Sequence, residues 1–316
     1  RLSSKTGTNS ATFSPNFQYF INTYSSATSA PTYTLNNSKT GAVVKTIVSN
    51  EAVEQKLAKY DVTPKEFFVL TTEKGHQLNA WMIKPKNFDA TKKYPVFMFQ
   101  YSGPGSQQVA NTWNGTNDYW FMMLAQQGYI VACVDGRGTG FKGAAFKKCT
   151  QKELGKFEVE DQIDAAKVIG KYNYVDASRI GIFGWSYGGF MSSNCLFQGA
   201  DVFKMAIAVA PVTSWRYYDS IYTERYMQTP QENASGYDNN SPINHVSKLK
   251  GNFLLIHGTA DDNVHVQNTM KMVEALVQAN KQFDWAIYPD KNHGIYGGKT
   301  RLQLYTKMTN FIKEKL

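Results

Sequence analysis

A serine between two glycines follows a short apolar run in the middle of the chain. Residues Gly184–Gly188 read Gly-Trp-Ser-Tyr-Gly and fit the pattern G-x-S-x-G, with Ser186 at the centre. Residues 179–183 predict a buried strand before this motif, and residues 189–198 predict a helix after it. Glycines beside the serine let the backbone turn sharply without side-chain clashes, which raises the serine hydroxyl above the sheet. This context predicts a nucleophile elbow, in which the backbone N–H of Tyr187 is free to donate to an oxyanion.

A serine hydroxyl needs a base to accept its proton and an acid to orient that base. In α/β-hydrolases these groups follow the serine in the order acid, then histidine. The predicted strand 252–256 ends shortly before Asp261 and Asp262, and an acid at the carboxyl end of a strand suits the orienting role. We favour Asp261, and Asp262 remains the alternative. His293 lies in the loop between the last predicted strand and the last predicted helix, and is therefore the candidate base.

The other histidines fit the role of base less well. His257 ends a buried strand, where we expect its ring to be satisfied by a hydrogen bond, and His265 opens a helix. His76 and His245 lie in turn-like segments. No H-E-x-x-H pattern or comparable ligand cluster occurs, so we expect neither a metal mechanism nor a cofactor. A G-x-G-x-x-G match at residues 138–143 has no helix opening at its third glycine, which disfavours dinucleotide binding.

The composition is that of an ordinary globular protein. The 316 residues include 34 Lys and Arg against 25 Asp and Glu, a net charge of +9, and 42% of the residues are hydrophobic. The lysines are scattered, so we expect a solvated basic surface and no nucleic-acid interface. No run approaches the roughly 18 apolar residues that a membrane helix needs. Three cysteines make no disulfide framework and match no zinc site.

Two sequence patterns meet near residue 52. Residues 1–52 contain short alternating strands predicted at 16–24, 32–35 and 42–48, with a turn at 36–41 between the last two, which is typical of a β-meander. A meander buries little surface by itself, so we expect these strands to belong to a larger all-β domain. Residues 53–316 alternate apolar strands with amphipathic helices, which predicts a mostly parallel sheet with helices on both faces. Because the chain begins at Arg1 without a methionine, we expect it to be a mature or cut piece.

Several segments resemble the prolyl oligopeptidase family of serine peptidases. Those common to the family are Gly184–Gly189, His257–His265 and Asp135–Gly138. Two further segments, Ala208–Met227 and Tyr101–Gln107, resemble the dipeptidyl peptidase IV-like branch of that family. Residues 1–52 resemble the last strands of the family's N-terminal β-propeller. The resemblance implies an α/β-hydrolase domain at 53–316, preceded by a short all-β segment at 1–52.

The resemblance also implies a role for each matched residue. Ser186 would be the nucleophile, Asp261 the orienting acid and His293 the base. The hydroxyl of Tyr101 and the backbone N–H of Tyr187 would form the oxyanion hole. The remaining residues would bind substrate, most of them as walls of a pocket for a penultimate proline and two as polar members of the site: Tyr187, Val212, Trp215, Tyr218, Tyr222 and Val264 as walls, Asn263 and Arg225 as polar members.

The implied activity is that of a serine exopeptidase. It would release Xaa-Pro or Xaa-Ala dipeptides from the amino terminus of peptides, through an acyl-enzyme on Ser186 and without a cofactor. The alternatives are another peptidase or an esterase of the same family, or a truncated domain with little peptidase activity. The family's amine-binding glutamates lie on the propeller, outside this chain, so the propeller is an expected partner. The resemblance further suggests a homodimer, with 300–316 as one contact, and a periplasmic or secreted parent enzyme.

Overall fold

The computed structural model describes residues 2–60 and 62–316, and within these ranges the chain forms one four-stranded and one eight-stranded β-sheet. The smaller sheet is antiparallel, in the order β1-β2-β3-β4. Its strands are β1 (Thr8–Phe13), β2 (Tyr19–Ser25), β3 (Thr32–Asn37) and β4 (Val43–Val48). The turn between β3 and β4 closes through a 2.8 Å hydrogen bond from the N–H of Gly41 to the carbonyl of Asn37. The predicted β-meander is confirmed, and β1 extends it.

The larger sheet has the strand order β12-β11-β10-β9-β7-β8-β6-β5. The six strands from β12 to β8 pair in parallel with their neighbours, which confirms the predicted, mostly parallel sheet. The strands are β5 (Glu66–Thr71), β6 (Gln77–Ile83), β7 (Tyr94–Phe99), β8 (Ile130–Asp135), β9 (Val175–Trp185), β10 (Met205–Val209), β11 (Asn252–Gly258) and β12 (Asp284–Tyr288).

Helices separate most of these strands along the chain. Two short 3₁₀ helices occupy Trp215–Tyr217 and Pro242–Lys248. The α-helices are α1 (Glu51–Ala58), α2 (Thr116–Gln126), α3 (Ala144–Lys148), α4 (Phe157–Gly170), α5 (Tyr187–Gln198), α6 (Ser220–Met227), α7 (Ala234–Asn239), α8 (Gln267–Gln278) and α9 (Thr300–Lys315).

The central strands and α5 form the core that supports the site. Every residue of β8 and β10 is buried, as continuous apolar runs in a parallel sheet predict. Helix α5 packs on β9 and β10, and its first eleven residues are buried. A helix that is buried on nearly all sides belongs inside a domain, and this one starts directly after Ser186. The nucleophile candidate therefore stands on a rigid part of the molecule.

The loops that carry Ser186, Asp261 and His293 begin at the same edge of the larger sheet. Trp185, at the end of β9, pairs with Val209, which in turn pairs with Ile256 of β11. Gly258, at the end of β11, pairs with Tyr288, at the end of β12. Because neighbouring parallel strands end in register, the segments that follow β9, β11 and β12 begin at the same edge of the sheet, with β10 between β9 and β11. These segments hold the candidate serine, acid and histidine.

The chain divides into two compact units. One is formed by residues up to Glu66 together with Ile83–Phe88 and Val109–Gly128, and the other by Phe67–Met82, Asp89–Gln108 and Tyr129–Leu316. All predicted site residues lie in the second unit. The division of the chain into domains at residue 52 stays a prediction. In the ranges that the structure describes, no helix is both long and apolar enough to cross a membrane.

Candidate active site

Ser186 lies in a strained turn between β9 and α5. Its backbone has φ of 63° and ψ of −117°, a conformation that residues other than glycine rarely adopt. Its N–H donates to the carbonyl of Val209 at 2.8 Å, which ties the turn to the neighbouring strand. A Cβ atom on Gly184 would stand 2.3 Å from the carbonyl oxygen of Gly188, and one on Gly188 would stand 2.7 Å from that of Gln100. The turn therefore requires both glycines of the motif.

The acid and the base are in direct contact. Oδ2 of Asp261 lies 2.7 Å from Nδ1 of His293. Oδ1 of Asp261 accepts hydrogen bonds from the backbone N–H groups of Asn263 (3.0 Å) and Val264 (2.9 Å). Asp261 is buried, whereas Asp262 is exposed. Of the two aspartates that the sequence left open, the structure brings Asp261 to the histidine.

A second histidine holds the same carboxylate. Nε2 of His257 lies 3.2 Å from Oδ2 of Asp261 and 2.8 Å from the carbonyl oxygen of Val264. Both neighbours are acceptors, so Nε2 carries a proton, and Nδ1 pairs with the Thr269 hydroxyl at 2.7 Å. The ring ends β11 and is fully buried, as predicted, but its contact with Asp261 was missed. The signal in the sequence is the spacing of four residues between the two side chains.

These contacts set the charge of the acid. Burial acts to raise the pKa of the Asp261 carboxyl, but the hydrogen bonds from His257 and His293 and the charge of His293 outweigh it. The pKa of Asp261 consequently lies well below its usual range, and the group is a carboxylate at neutral pH. An ionised, immobile carboxylate can hold one imidazole tautomer and stabilise the imidazolium.

The histidine loop is joined to the elbow by Trp185. The indole Nε1 of Trp185 donates to the backbone carbonyl of His293 at 2.9 Å. The guanidinium of Arg301, on α9, lies over the Trp185 ring, 5.1 Å from its centre. Since Trp185 directly precedes Ser186, this bond holds the backbone of the histidine next to the residue before the nucleophile.

The two residues predicted to form the oxyanion hole, Tyr101 and Tyr187, lie close to each other. Tyr187 is the first residue of α5, so its backbone N–H has no acceptor inside the helix and points out of the helix N-terminus. Tyr101 follows β7 closely, and its ring centre lies 6.0 Å from that of Tyr187. Burial and the nearby Tyr226 raise the pKa of the Tyr101 phenol. Tyr101 therefore keeps its proton at neutral pH and can act as a hydrogen-bond donor.

Trp215 is the centre of an aromatic cluster beside the elbow. Its ring centre lies 5.4 Å from that of Tyr187, 6.0 Å from Tyr218 and 5.9 Å from Tyr222. The hydroxyl of Tyr218 donates to Oδ1 of Asn263 at 2.7 Å, which connects the cluster to the loop of the acid. Burial raises the pKa of Tyr218 to about 12. The structure thus unites four of the predicted pocket walls with one predicted polar member.

The other predicted binding residues are arranged differently. Val212 and Val264 are buried, with 2% and 0% of their surface exposed. Arg225 has an exposed side chain on α6, three residues after Tyr222. Among the side chains that the structure describes, no group of three or more His, Cys, Asp or Glu residues is arranged to hold a metal ion.

An elbow serine on a mostly parallel sheet, followed by an acid and a histidine on later loops, defines an α/β-hydrolase.

Residues 116–316 match the model of the prolyl oligopeptidase family. "Probable dipeptidyl-aminopeptidase B" of Paracoccidioides lutzii is 45% identical over 272 residues, or 85% of this chain and 29% of the relative. The protein of the same name from Aspergillus terreus is 42% identical over 315 residues, or 98% and 34% of the two chains.

A solved structure gives the same result. The crystal structure of Porphyromonas gingivalis dipeptidyl peptidase 4 matches with a TM-score of 0.97 and 53% identity, over 100% of this chain and 44% of that one. The chain belongs to the prolyl oligopeptidase family, and the resemblance to its dipeptidyl peptidase IV-like branch is confirmed. The chain spans 29–34% of the length of these curated relatives.

Proposed function

We propose that the protein is a serine exopeptidase that removes dipeptides from the free amino terminus of peptides. Ser186 is its nucleophile, His293 its base and Asp261 its orienting acid. The observation that carries the proposal is the 2.7 Å contact between Asp261 and His293, on loops that begin beside the elbow of Ser186. The family and the names of the relatives support the same class of activity.

The reaction proceeds in two acyl-transfer steps. His293 takes the proton of the Ser186 hydroxyl while the oxygen attacks the carbonyl carbon after the second substrate residue. The hydroxyl of Tyr101 and the N–H of Tyr187 stabilise the oxyanion that forms. His293 then gives the proton to the leaving amine, and the carbon–nitrogen bond breaks. Water, activated by the same imidazole, hydrolyses the acyl-enzyme and restores the serine.

The aromatic cluster is the basis of the proposed specificity. A pyrrolidine ring or a methyl group at the second substrate residue would pack against Tyr187, Trp215 and Tyr222, which offer flat apolar surface. Tyr218 and Asn263 would bind polar atoms of the substrate backbone at the edge of the pocket. We assign Arg225 to the outer rim, because its side chain is exposed. Val212 and Val264 would support the walls from behind.

We further propose that residues 1–52 are the last strands of a β-propeller and that residues 53–316 form the peptidase domain. Strand β4 supports this view, because all six of its residues are exposed although four are Val or Ile. Such an edge strand with two exposed apolar faces suits a place within a larger all-β structure. The propeller would supply the groups that bind the free amine.

We also propose a homodimer with α9 as one contact, where Leu302 is 71% exposed.

The proposed function is tested with a chromogenic Gly-Pro amide. We expect the intact protein to hydrolyse it, the Ser186→Ala variant to be inactive, and the same substrate with an acylated amine to resist cleavage. Cleavage of the acylated substrate as well would favour an oligopeptidase. Hydrolysis of simple esters without turnover of either amide would favour an esterase, and either result would overturn the exopeptidase assignment.

A further inference from the structure

A buried carboxyl group lies under the pocket and has no part in the mechanism above. Glu158, the second residue of α4, has 0% of its surface exposed. Its Oε1 accepts a hydrogen bond of 2.7 Å from the hydroxyl of Tyr187, and its Oε2 accepts one of 3.1 Å from the backbone N–H of Gly155. A buried acid is costly unless its oxygens are bonded, so these two donors account for its place in the core.

Tyr187 connects this carboxyl to the reaction centre. Its backbone follows the nucleophile and supplies a donor of the proposed oxyanion hole, while its ring contacts Trp215 and Tyr101 at centre distances of 5.4 and 6.0 Å. The start of α5 fixes the backbone end of Tyr187, and Glu158 fixes the hydroxyl end. The angle at which the ring enters the pocket therefore depends on both attachments.

We propose that Glu158 is a positioning residue, which acts through the Tyr187 hydroxyl to set the shape of the pocket for proline or alanine beside the scissile bond. This inference rests on the function proposed above and deepens it. Glu158 does not touch the substrate. Its effect is on how well the second substrate residue fits between the rings of Tyr187 and Trp215.

The groups around Glu158 explain why its carboxyl group titrates near neutral pH. Asp161 faces it from α4, Tyr187 from α5, Tyr222 from α6 and the thiol of Cys149 from the end of α3. Burial raises the pKa of Glu158 to about 7, although the hydrogen bonds from Tyr187 and Gly155 act to lower it. The guanidinium of Arg137, in the same region, donates to Asp161 and Glu160.

Both protonation states of Glu158 can hold Tyr187. The ionised carboxylate accepts from the Tyr187 hydroxyl and from Gly155. The protonated acid donates its own proton to the Tyr187 oxygen and still accepts from Gly155. A glutamine at this position makes the second pair of bonds permanently, because its amide nitrogen donates and its oxygen accepts. An alanine makes neither bond and leaves the Tyr187 hydroxyl buried without its acceptor.

The test compares Glu158→Ala and Glu158→Gln in the intact protein, with Glu160→Gln as the matched control on the same helix. Steady-state hydrolysis of Gly-Pro and Gly-Ala amides gives KM and kcat, and titration of Ser186 with a fluorophosphonate counts the competent molecules. Loss of the acceptor should raise KM of Glu158→Ala about tenfold, with a change in kcat per competent serine of less than about threefold. Glu158→Gln should stay within about threefold of the wild-type KM, and Glu160→Gln should match the wild type.

Tyr187→Phe supplies a second route to the same contact. It removes the hydroxyl and keeps the ring, so it should raise KM in the same direction as Glu158→Ala, and the double variant should be less impaired than the two effects combined. The inference is overturned if Glu158→Ala keeps the wild-type KM and merely lowers the fraction of competent serine. Absence of turnover by the wild type would overturn the proposed function and this inference together, whereas wild-type turnover with unchanged KM in Glu158→Ala would overturn this inference alone.

Discussion

His257 lies 3.2 Å from Oδ2 of Asp261, the same oxygen that pairs with His293. The ring of His257 is fully buried and is held at its other nitrogen by Thr269, so it has little freedom to follow events at the reaction centre. The carboxylate thus contacts one histidine that is fully buried and one whose side chain is 24% exposed. Together with the backbone N–H groups of Asn263 and Val264, His257 gives the carboxylate hydrogen bonds that do not involve His293.

The first prediction concerns this fixed histidine. His257→Gln keeps an N–H donor toward Asp261 and should retain kcat/KM within about threefold, whereas His257→Ala should lose about tenfold or more, since a hydrogen bond to a charged group contributes roughly 1.5–3 kcal/mol. The rates are normalised to the fraction of Ser186 that reacts with a fluorophosphonate. Equal rates per reactive serine in both variants would show that His257 only completes the core.

The two neighbouring aspartates should differ strongly in their effect on catalysis. Asp261→Asn should lower kcat by about 10³–10⁴-fold, because the amide favours the wrong tautomer of the base and does not stabilise the imidazolium. Asp262→Asn, at an exposed side chain, should change kcat by less than about threefold. Steady-state kinetics with a Gly-Pro amide decide this. A large effect of Asp262→Asn with a small effect of Asp261→Asn would reverse the assignment.

The elbow should not tolerate even one added methyl group at Gly188. In Gly188→Ala the new Cβ would meet the carbonyl oxygen of Gln100 at 2.7 Å, and that oxygen belongs to the rigid backbone. We expect a loss of about 1–3 kcal/mol in the free energy of unfolding, measured with urea, and slower labelling of Ser186. Gly170→Ala is the control, because its Cβ would have ordinary contacts of 3.4 Å at the end of α4. Equal stability of the two variants would contradict the strained elbow.

Glu158 should make the stability of the folded chain depend on pH. Its pKa is about 7 in the fold against an ordinary value of 4.5, so between these limits the folded state binds more protons than the unfolded state. The stability contributed by this group therefore falls as pH rises from about 4.5 to 7, by about 3 kcal/mol in total.

Glu158→Gln does not ionise and should escape this loss. The free energy of unfolding of Glu158→Gln minus that of the wild type should be about 3 kcal/mol larger at pH 8 than at pH 4.5, which means that the variant gains relative stability as pH rises. Urea unfolding of both proteins at the two pH values measures this difference, and Glu160→Gln serves as the control. A difference between variant and wild type that does not change with pH would mean that Glu158 titrates at its ordinary value.

The sequence predicts the sheet and the elbow well because their signals are local. The run at 205–209 is apolar throughout, and a buried parallel strand is the simplest structure for it. Adjacent residues likewise predict the elbow, because a strand, the motif around Ser186 and a helix follow each other without a gap. Strand β1 was missed because its sequence, TNSATF, has no apolar alternation. Pairing with β2 creates this strand, and pairing is not visible in a single segment.

The parts of the site that depend on contacts between residues far apart in the sequence cannot be predicted from local patterns. Asp261 and Asp262 are neighbours of one type, and only the turn that directs Asp261 to two backbone N–H groups and His293 separates them. Glu158 and Tyr187 are 29 residues apart, and a glutamate near a helix start is ordinarily a solvent-exposed residue. The packing of α4 and α5 around β9 brings them together, and no spacing rule encodes that contact.

The central claim is that Ser186 is a nucleophile activated by His293, and the most direct measurement is covalent labelling. The intact protein is treated with a fluorophosphonate, and the modified residue is located by mass spectrometry of peptides. We predict one label on Ser186, none in Ser186→Ala, and labelling at least about 10³-fold slower in His293→Ala, because the serine hydroxyl then lacks its base. An unmodified Ser186, or labelling of Ser186 at the wild-type rate in His293→Ala, would contradict the account.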